Sequence, residues 1–327
     1  MKDLSKDAVN WLVVGDDAEG QRIDNYLVRI LKGVPKSHVY RILRSGEVRR
    51  NGGRVGPDAR LAVGDRLRVP PIRARAPPAA AARPGPAEVA AVPPVLFEDD
   101  ALLALDKPSG LAVHGGSGIA FGVIERLRRA RPSARFLELV HRLDRDTSGI
   151  LLVAKKRAAL TALHAALREG RVEKHYFTLV RGRWRDAERV VDLALETFLT
   201  AAGERRVRVD GSGRASRTRF RLVRQWRDAD PPAALLDAEL ETGRTHQIRV
   251  HLTHLGFPLA GDDKYGDFTW NRALVREGLK RMFLHAHRLR LTHPVSGEAI
   301  EIESPLPADL ARFVTRLDTP SETPADA

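Results

Sequence analysis

A stretch of proline and alanine divides this chain more firmly than any other feature. Residues 70–94 hold eight of the 20 prolines, with alanine filling most of the rest and a single acid, Glu88. Proline fixes φ and removes a backbone donor, so such a segment belongs neither in a helix interior nor in a central strand. It reads as a semi-rigid linker, and the chain on either side of it must fold as separate modules. The expected organisation is an N-terminal segment over 1–19, a small module over 20–70, the linker over 71–94, a larger domain over 95–317 and a loose tail over 318–327. A length of 327 residues suits such a division.

The charge follows the same division. The formal net charge is +13, from 55 Lys+Arg against 42 Asp+Glu, and only 10 of the basic residues are Lys. An arginine- and alanine-rich coding bias also produces a basic protein, but it spreads the charge evenly. Between Gly20 and Pro70 there are 12 Lys+Arg and 4 Asp+Glu, a balance of +8, so more than half the excess sits in under a sixth of the chain. That concentration points to a polyanionic partner. With 43% hydrophobic residues the chain has enough apolar material for a sizeable core, which excludes a disordered tail protein. The absence of Cys excludes disulfides, a thiolate nucleophile and a zinc–thiolate site. The first residues, MKDLSKDAVNWLVV, contain no apolar signal core, and no apolar run approaches the roughly 20 residues of a membrane span. The expectation is a soluble cytoplasmic protein, monomeric by default.

In the basic module, Ile23, Tyr26, Leu27, Ile30 and Leu31 recur at helical spacing. Val39, Ile42 and Leu43 repeat the pattern after Pro35, with Lys36, Arg41 and Arg44 on or beside the other face and Ser45-Gly46 as a stop. A turn at Asn51-Gly52-Gly53 and a strand within 61–69 complete it. In the larger domain, apolar runs predict strands at 95–97, 101–106, 137–140, 149–154, 175–181, 217–224 and 234–241, and helices at 121–130, 157–168 and 245–255. The strands are not regularly separated by helices, which disfavours a doubly wound parallel sheet and favours an α+β domain.

Two polar clusters carry the candidate chemistry. His141-Arg142-Leu143-Asp144-Arg145-Asp146-Thr147-Ser148-Gly149 runs directly into the apolar strand Ile150-Leu151-Leu152-Val153-Ala154. Packing that many polar groups against buried strands is expensive unless they pair with one another or with a ligand. In Glu241-Thr242-Gly243-Arg244-Thr245-His246-Gln247-Ile248-Arg249-Val250-His251, Thr245 is a candidate helix cap. Arg249 then lies on a different side of the helix from Arg244, which leaves room for one to face a buried carboxylate and the other solvent or phosphate. A structural Arg–Asp network and an exposed basic helix start are the plainer readings of these clusters. His251-Leu252-Thr253-His254 and His285-Ala286-His287 lack the spacing of a zinc-protease helix, and Gly115-Gly116-Ser117-Gly118 lacks the lysine of a nucleotide loop. No metal or cofactor is expected.

These stretches resemble the RluA family of RNA pseudouridine synthases. His141–Gly149 is similar to the family's first signature and Gly243–His251 to its second. Leu105-Asp106-Lys107-Pro108-Ser109-Gly110, Lys174-His175-Tyr176, Asp262-Asp263-Lys264-Tyr265-Gly266 and Phe283-Leu284-His285-Ala286 match further segments, and the basic module resembles an S4 RNA-binding domain of the αL type. Gly33-Val34-Pro35-Lys36-Ser37, the stretch 112–118 and Phe136-Leu137-Glu138-Leu139-Val140 look like the RluC-type branch, which acts on 23S ribosomal RNA of the large subunit. The resemblance implies a mixed, mainly antiparallel sheet flanked by helices. It also implies Asp144 as the catalytic aspartate, Arg249 as its partner, Tyr176 as the ring stacked on the target base, and Arg142 as the residue filling the space of the flipped base. Lys36, Arg41 and Arg44 would contact RNA phosphate, as would Arg244.

Pseudouridine formation breaks the C1′–N1 bond, turns the uracil and joins C1′ to C5. It needs no redox change, no group donor and no metal. A uridine in structured RNA must first be flipped out, at a cost of a few kcal/mol. A planar cation compensates the gap, an aromatic ring receives the base, and one ionised carboxylate acts at sugar or base; a neighbouring arginine keeps such a carboxylate charged where burial would neutralise it. The competing readings are a non-catalytic S4-type ribosome-assembly factor, for which a desolvated Asp–Arg pair has no use, and an RNA glycosidase, which would release free uracil.

Overall fold

The computed structural model describes residues 5, 7–15, 18–31, 34–72, 92–115, 121–201 and 203–319. Most of the proline-rich linker, Gly116–Gly118 and the tail beyond residue 319 lie outside the described residues. The chain divides into two compact units, Met1–Ala90 with Ser133–Phe136, and Ala91–Pro132 with Leu137–Ala327.

The first unit is built from β1 (Asn10–Val13), α1 (Ile23–Ile30), α2 (Lys36–Arg44), β2 (Arg49–Arg50), β3 (Gly53–Arg54) and β4 (Arg66–Val69). The strands form one sheet in the order β1-β4-β2-β3. The apolar stripes of both helices meet Val48, Leu67 and Val69 in one core, with Ile23, Leu27, Val39 and Ile42 almost fully buried. Asn51 and Gly52 both take positive φ, 50° and 84°, which suits the tight hairpin between β2 and β3. Two expectations are corrected. The segment placed outside the module contributes β1, which pairs with β4 from Asn10↔Val69 to Val13↔Arg66, and Val14 and Ala18 enter the core. The strand expected within 61–69 covers only Arg66–Val69, because Ala62–Asp65 make a turn closed by Asp65 N–H donating to Ala62 O.

The second unit contains β5 (Val95–Glu98), β6 (Leu102–Lys107), α3 (Val123–Ala130), β7 (Glu138–Leu139), β8 (Ser148–Ala154), α4 (Arg157–Arg168) and β9 (Glu173–Arg181). It continues with β10 (Glu188–Asp192), β11 (Leu195–Leu199), β12 (Arg205–Val209), β13 (Arg217–Trp226), β14 (Ala233–Leu240), α5 (Gln247–His254), α6 (Phe268–Arg276), β15 (Leu284–Thr292), β16 (Ala299–Glu303) and α7 (Ala308–Asp318). Ten strands form one sheet whose main path runs β10-β13-β14-β9-β15-β8-β6-β5, with β16 added to β15 and β7 to β8. All its pairings are antiparallel except β8 with β15. The architecture is the expected α+β arrangement with a mixed, mainly antiparallel sheet.

Every residue of β8 is buried, which is why it reads as an unbroken apolar run rather than an alternation. At its start Gly149 has φ +105°, and a Cβ there would lie 2.2 Å from the carbonyl oxygen of Ala286. Only glycine lets the parallel β8–β15 contact close. One face of the sheet packs α3 and α5 through Val123, Leu127, Ile248 and Leu252 around Tyr176, Phe220 and Leu236. The other face holds α6 and α7 through Trp270, Leu274, Leu310 and Phe313.

Candidate active site

Asp144 lies in the loop between β7 and β8, where the chain leaves the sheet and returns into its fully buried strand. Lys107, at the end of β6 and 0% exposed, fixes that loop. Its ammonium donates to the carbonyl oxygens of Pro108, Leu111 and Arg145 at 2.8–2.9 Å, joining the residue next to Asp144 to the loop after β6. Burial pulls the Lys107 pKa down to about 7, with the charge of Asp146 opposing. His141, at the start of the loop, accepts the Leu152 N–H at Nε2, and burial lowers its pKa to about 4.

Arg249 comes to Asp144 from α5. Its Nη1 donates to Asp144 Oδ2 at 3.1 Å, while Nε and Nη2 donate to the two carboxylate oxygens of Asp262 at 2.7 Å each. Asp262 is 0% exposed and also accepts the backbone N–H groups of Lys264 and Tyr265. Burial opposes both charges, but the fork-to-fork pair reverses this: it raises the Arg249 pKa, with help from Asp144, and lowers that of Asp262. One edge of the guanidinium is therefore locked, and Nη1 beyond that edge points at Asp144. No side chain among the described residues bonds Asp144 Oδ1.

His246 faces the same oxygen, with Nε2 3.7 Å from Asp144 Oδ2. Its Nδ1 lies 2.9 Å from the Tyr265 hydroxyl, which accepts the Val207 N–H at 2.9 Å. That phenol, with its acceptor side occupied, is free to donate to Nδ1 and so places the imidazole proton on Nε2, toward Asp144. Burial lowers the His246 pKa against the attraction of Asp144. His246 holds φ 55° and ψ 22°, a left-handed conformation costly for a residue with a Cβ. It occupies the cap position of α5, and Thr245, the expected cap, does not. Gln247 fastens this strained corner, taking the Thr242 hydroxyl and Arg244 N–H while donating to Arg217 O and Thr218 Oγ1.

Tyr176 is 7% exposed in the middle of β9, between Ala238 and Ala286 on the neighbouring strands. Burial, and then the charge of Asp144, push its phenol up. Arg142 is exposed and has no ion-pair partner among the described residues. Arg244 is exposed, with Nε on Ala215 O at 3.1 Å. Asp146 pairs with its neighbour Arg145 at 3.1 Å. Lys36, Arg41 and Arg44 belong to the first unit; Lys36 is exposed, Arg41 pairs with Glu47 at 3.0 Å, and Arg44 lies over the Tyr40 ring.

Of the histidines considered as metal ligands, His251 and His285 have other partners. His251 is within hydrogen-bond distance of Ser216, Thr218 and Leu193 O, and His285 of Ser148 and Ser304 O. His175, Asp237 and His287 do have the spacing of a metal-binding group. There each imidazole already occupies one oxygen of the Asp237 carboxylate, at 2.9 and 3.0 Å.

The arrangement is a single carboxylate, held by a locked arginine beside a buried aromatic ring, at the edge of a loop rich in exposed arginine. Residues 101–254 match the family model described as RNA pseudouridylate synthase, and residues 21–67 match the S4 domain. The chain is 51% identical over 311 residues to ribosomal large subunit pseudouridine synthase C of Pasteurella multocida, covering 95% of this chain and 94% of the relative. The chain belongs to the RNA pseudouridylate synthase family. The corresponding Escherichia coli (strain K12) protein is 50% identical over 313 residues, covering 95% of this chain and 97% of its own. Among solved structures, human RNA pseudouridylate synthase domain containing 1 superposes with a TM-score of 0.55 at 25% identity, covering 72% of this chain and 98% of that one.

Three elements of the synthase site are not marked by local sequence. Asp262 and Tyr265 lie in a stretch that matches the family, but nothing nearby singles them out as partners of Arg249 and His246, 13 and 19 residues away. Lys107 reaches the loop that carries Asp144 across 38 residues. Its signal is position: a lysine in the same strand as the buried apolar run Leu102–Leu105 must find acceptors inside the fold.

Proposed function

We propose that this synthase converts uridines of large-subunit ribosomal RNA to pseudouridine, with Asp144 as the reacting carboxylate. The observation that carries the reading is the Arg249 fork, closed on Asp262 through Nε and Nη2 while Nη1 donates to Asp144 Oδ2. A carboxylate held by one oxygen keeps its orientation while the other oxygen is free to act. In the reaction C1′–N1 breaks, the uracil turns, C1′–C5 forms, C5 loses its proton and N1 gains one. Tyr176 supplies the ring against which the flipped base stacks. Arg142, long, planar and exposed, takes the place the base vacates, and Arg244 contacts phosphate at the site's edge. Lys36, Arg41 and Arg44 contribute phosphate contacts from the S4 domain. The chain works as a monomer in the cytoplasm, on 23S RNA or its precursor particle, and the large-subunit synthases of two bacteria at half identity support that substrate. No helix among the described residues is long and apolar enough to cross a membrane.

Asp144→Asn is nearly isosteric and removes only the charge. Pseudouridine mapping of 23S RNA incubated with this variant is expected to show no conversion, while RNA binding and thermal stability stay near wild type. Conversion above trace level would overturn the assignment. Mapping ribosomal RNA from cells lacking the protein tests the substrate, since the sites it serves would remain uridine.

A further inference from the structure

The sheet of the first unit has one face on the helices and one on solvent. On the buried face Leu67 and Val69 of β4 enter the core. The solvent face is read directly from the register. Trp11 of β1 stands opposite Arg68 of β4, Arg68 opposite Arg49 of β2, and Arg49 opposite Arg54 of β3. Residues directly opposed in a sheet share a face, so one tryptophan and three arginines form a single row across all four strands. Val13 and Arg66 form the next row on the same face. Strands lie about 4.8 Å apart, so the first row spans about 14 Å, the reach of a few nucleotides.

Two features separate this face from an ordinary solvated sheet. Trp11 is 58% exposed and Val13 69% exposed, and the Arg66 guanidinium lies 5.6 Å from the Trp11 ring centroid. The four arginines also lack carboxylate partners among the described residues. Arg68 donates to Glu47 O, Arg49 to Gly52 O and Arg54 to Ser45 O, all backbone carbonyls that leave the positive charge unneutralised. Elsewhere in the same unit Arg22 pairs with Asp24, Arg41 with Glu47 and Arg50 with Asp65. An exposed aromatic ring beside four uncompensated guanidiniums complements a polyanion whose bases can unstack, and it does not complement a folded protein surface of mixed charge.

We propose that this sheet face is an RNA-binding platform, on which Trp11 stacks an unpaired base while Arg49, Arg54, Arg66 and Arg68 contact the flanking phosphates. It is a surface separate from the one formed by Lys36, Arg41 and Arg44 on α2, and it rests on the reading of this chain as a ribosomal RNA enzyme. The test is fluorescence anisotropy of the full-length protein with a labelled stem-loop RNA carrying an unpaired uridine loop, across a salt series. Trp11→Ala is expected to weaken binding about tenfold and Trp11→Phe to restore most of it, because stacking needs a ring rather than an indole. The triple variant Arg49→Gln, Arg54→Gln, Arg66→Gln is expected to reduce the slope of log K against log salt by about 2, at about 0.7 for each phosphate no longer neutralised. All four substituted positions are exposed, and thermal melts are the check that each variant folds. Folded variants with wild-type affinity and slope would overturn the proposal. So would sedimentation showing that Trp11→Ala splits a dimer while RNA binding is unchanged, which would assign the face to a second copy of the chain. Pseudouridine formation by the wild-type protein is measured in the same samples, so failure of the isomerase reading appears there and leaves the anisotropy comparison to decide the platform alone.

Discussion

At the scale of residues, the site depends on one buried ion pair, Arg249 with Asp262. Asp262 and Arg249 are 0% and 4% exposed, and removing one member of such a pair leaves an uncompensated charge. Asp262→Ala is therefore expected to destabilise the protein by about 3–5 kcal/mol in urea unfolding and to lower pseudouridine formation at temperatures where the variant is still folded. A loss below about 1 kcal/mol would show that Arg249 is held by other groups. His141 makes a pH prediction. Its folded pKa of about 4 lies below the ordinary histidine value. Between the two the unfolded chain binds the additional proton, so stability is complete at neutral pH and falls as pH drops from about 6.5 to about 4, by about 3 kcal/mol. Urea midpoints of wild type and His141→Gln across that range should converge as pH falls; parallel curves would place the titration elsewhere. Sequence alone marked Asp144, Arg142 and Arg249 because each sits in a dense polar signature. It could not mark Asp262 as the group that orients Arg249, because that pairing exists only after α5 and the following loop have folded together.

At the scale of elements, β8 and β15 are the joint on which the site turns. Their parallel contact sets the start of β8, and with it the loop that carries Asp144, beside the strand that flanks Tyr176. Gly149→Ala would drive a methyl group into the Ala286 carbonyl, and backbone on both sides cannot yield as a side chain would. A loss of at least about 2 kcal/mol in thermal or urea unfolding is expected. An unchanged melting temperature would mean that the two strands separate without cost. The apolar elements β6, β8, β9, β13 and β14 are legible in sequence because their burial is strong and local. The pair β11–β12 is not, since Leu195–Leu199 and Arg205–Val209 interleave polar and apolar residues and are held by cross-strand pairs such as Arg208 with Glu196. β15 and β16 escape for a related reason: their histidines, arginines and glutamates dilute the apolar pattern, and partners elsewhere in the sheet supply what the local sequence lacks.

At the scale of the whole molecule, more than half of the excess positive charge lies in the first unit, while Asp144, Tyr176 and Arg249 lie in the second. A chain beginning at residue 91 retains the unit that holds Asp144, Tyr176 and Arg249. It is expected to convert uridine in a short RNA at near the full-length kcat, while its binding to folded ribosomal RNA weakens and becomes less dependent on salt. Equal loss of both would mean that the two units build one site. The division into two modules, the basic character of the first, the α+β class of the second and the two signatures around Asp144 and Arg249 were all determined by sequence. Each is written in composition, periodicity or a contiguous motif, which are properties of neighbouring residues. The Asp262 lock on Arg249, the His246–Tyr265 contact, the Lys107 tether and the arginine row beside Trp11 were decided only by the tertiary structure. Each joins groups that are far apart along the chain or on different strands. Which of them meet is set by sheet register and by the burial of charge, and neither exists until the chain has folded.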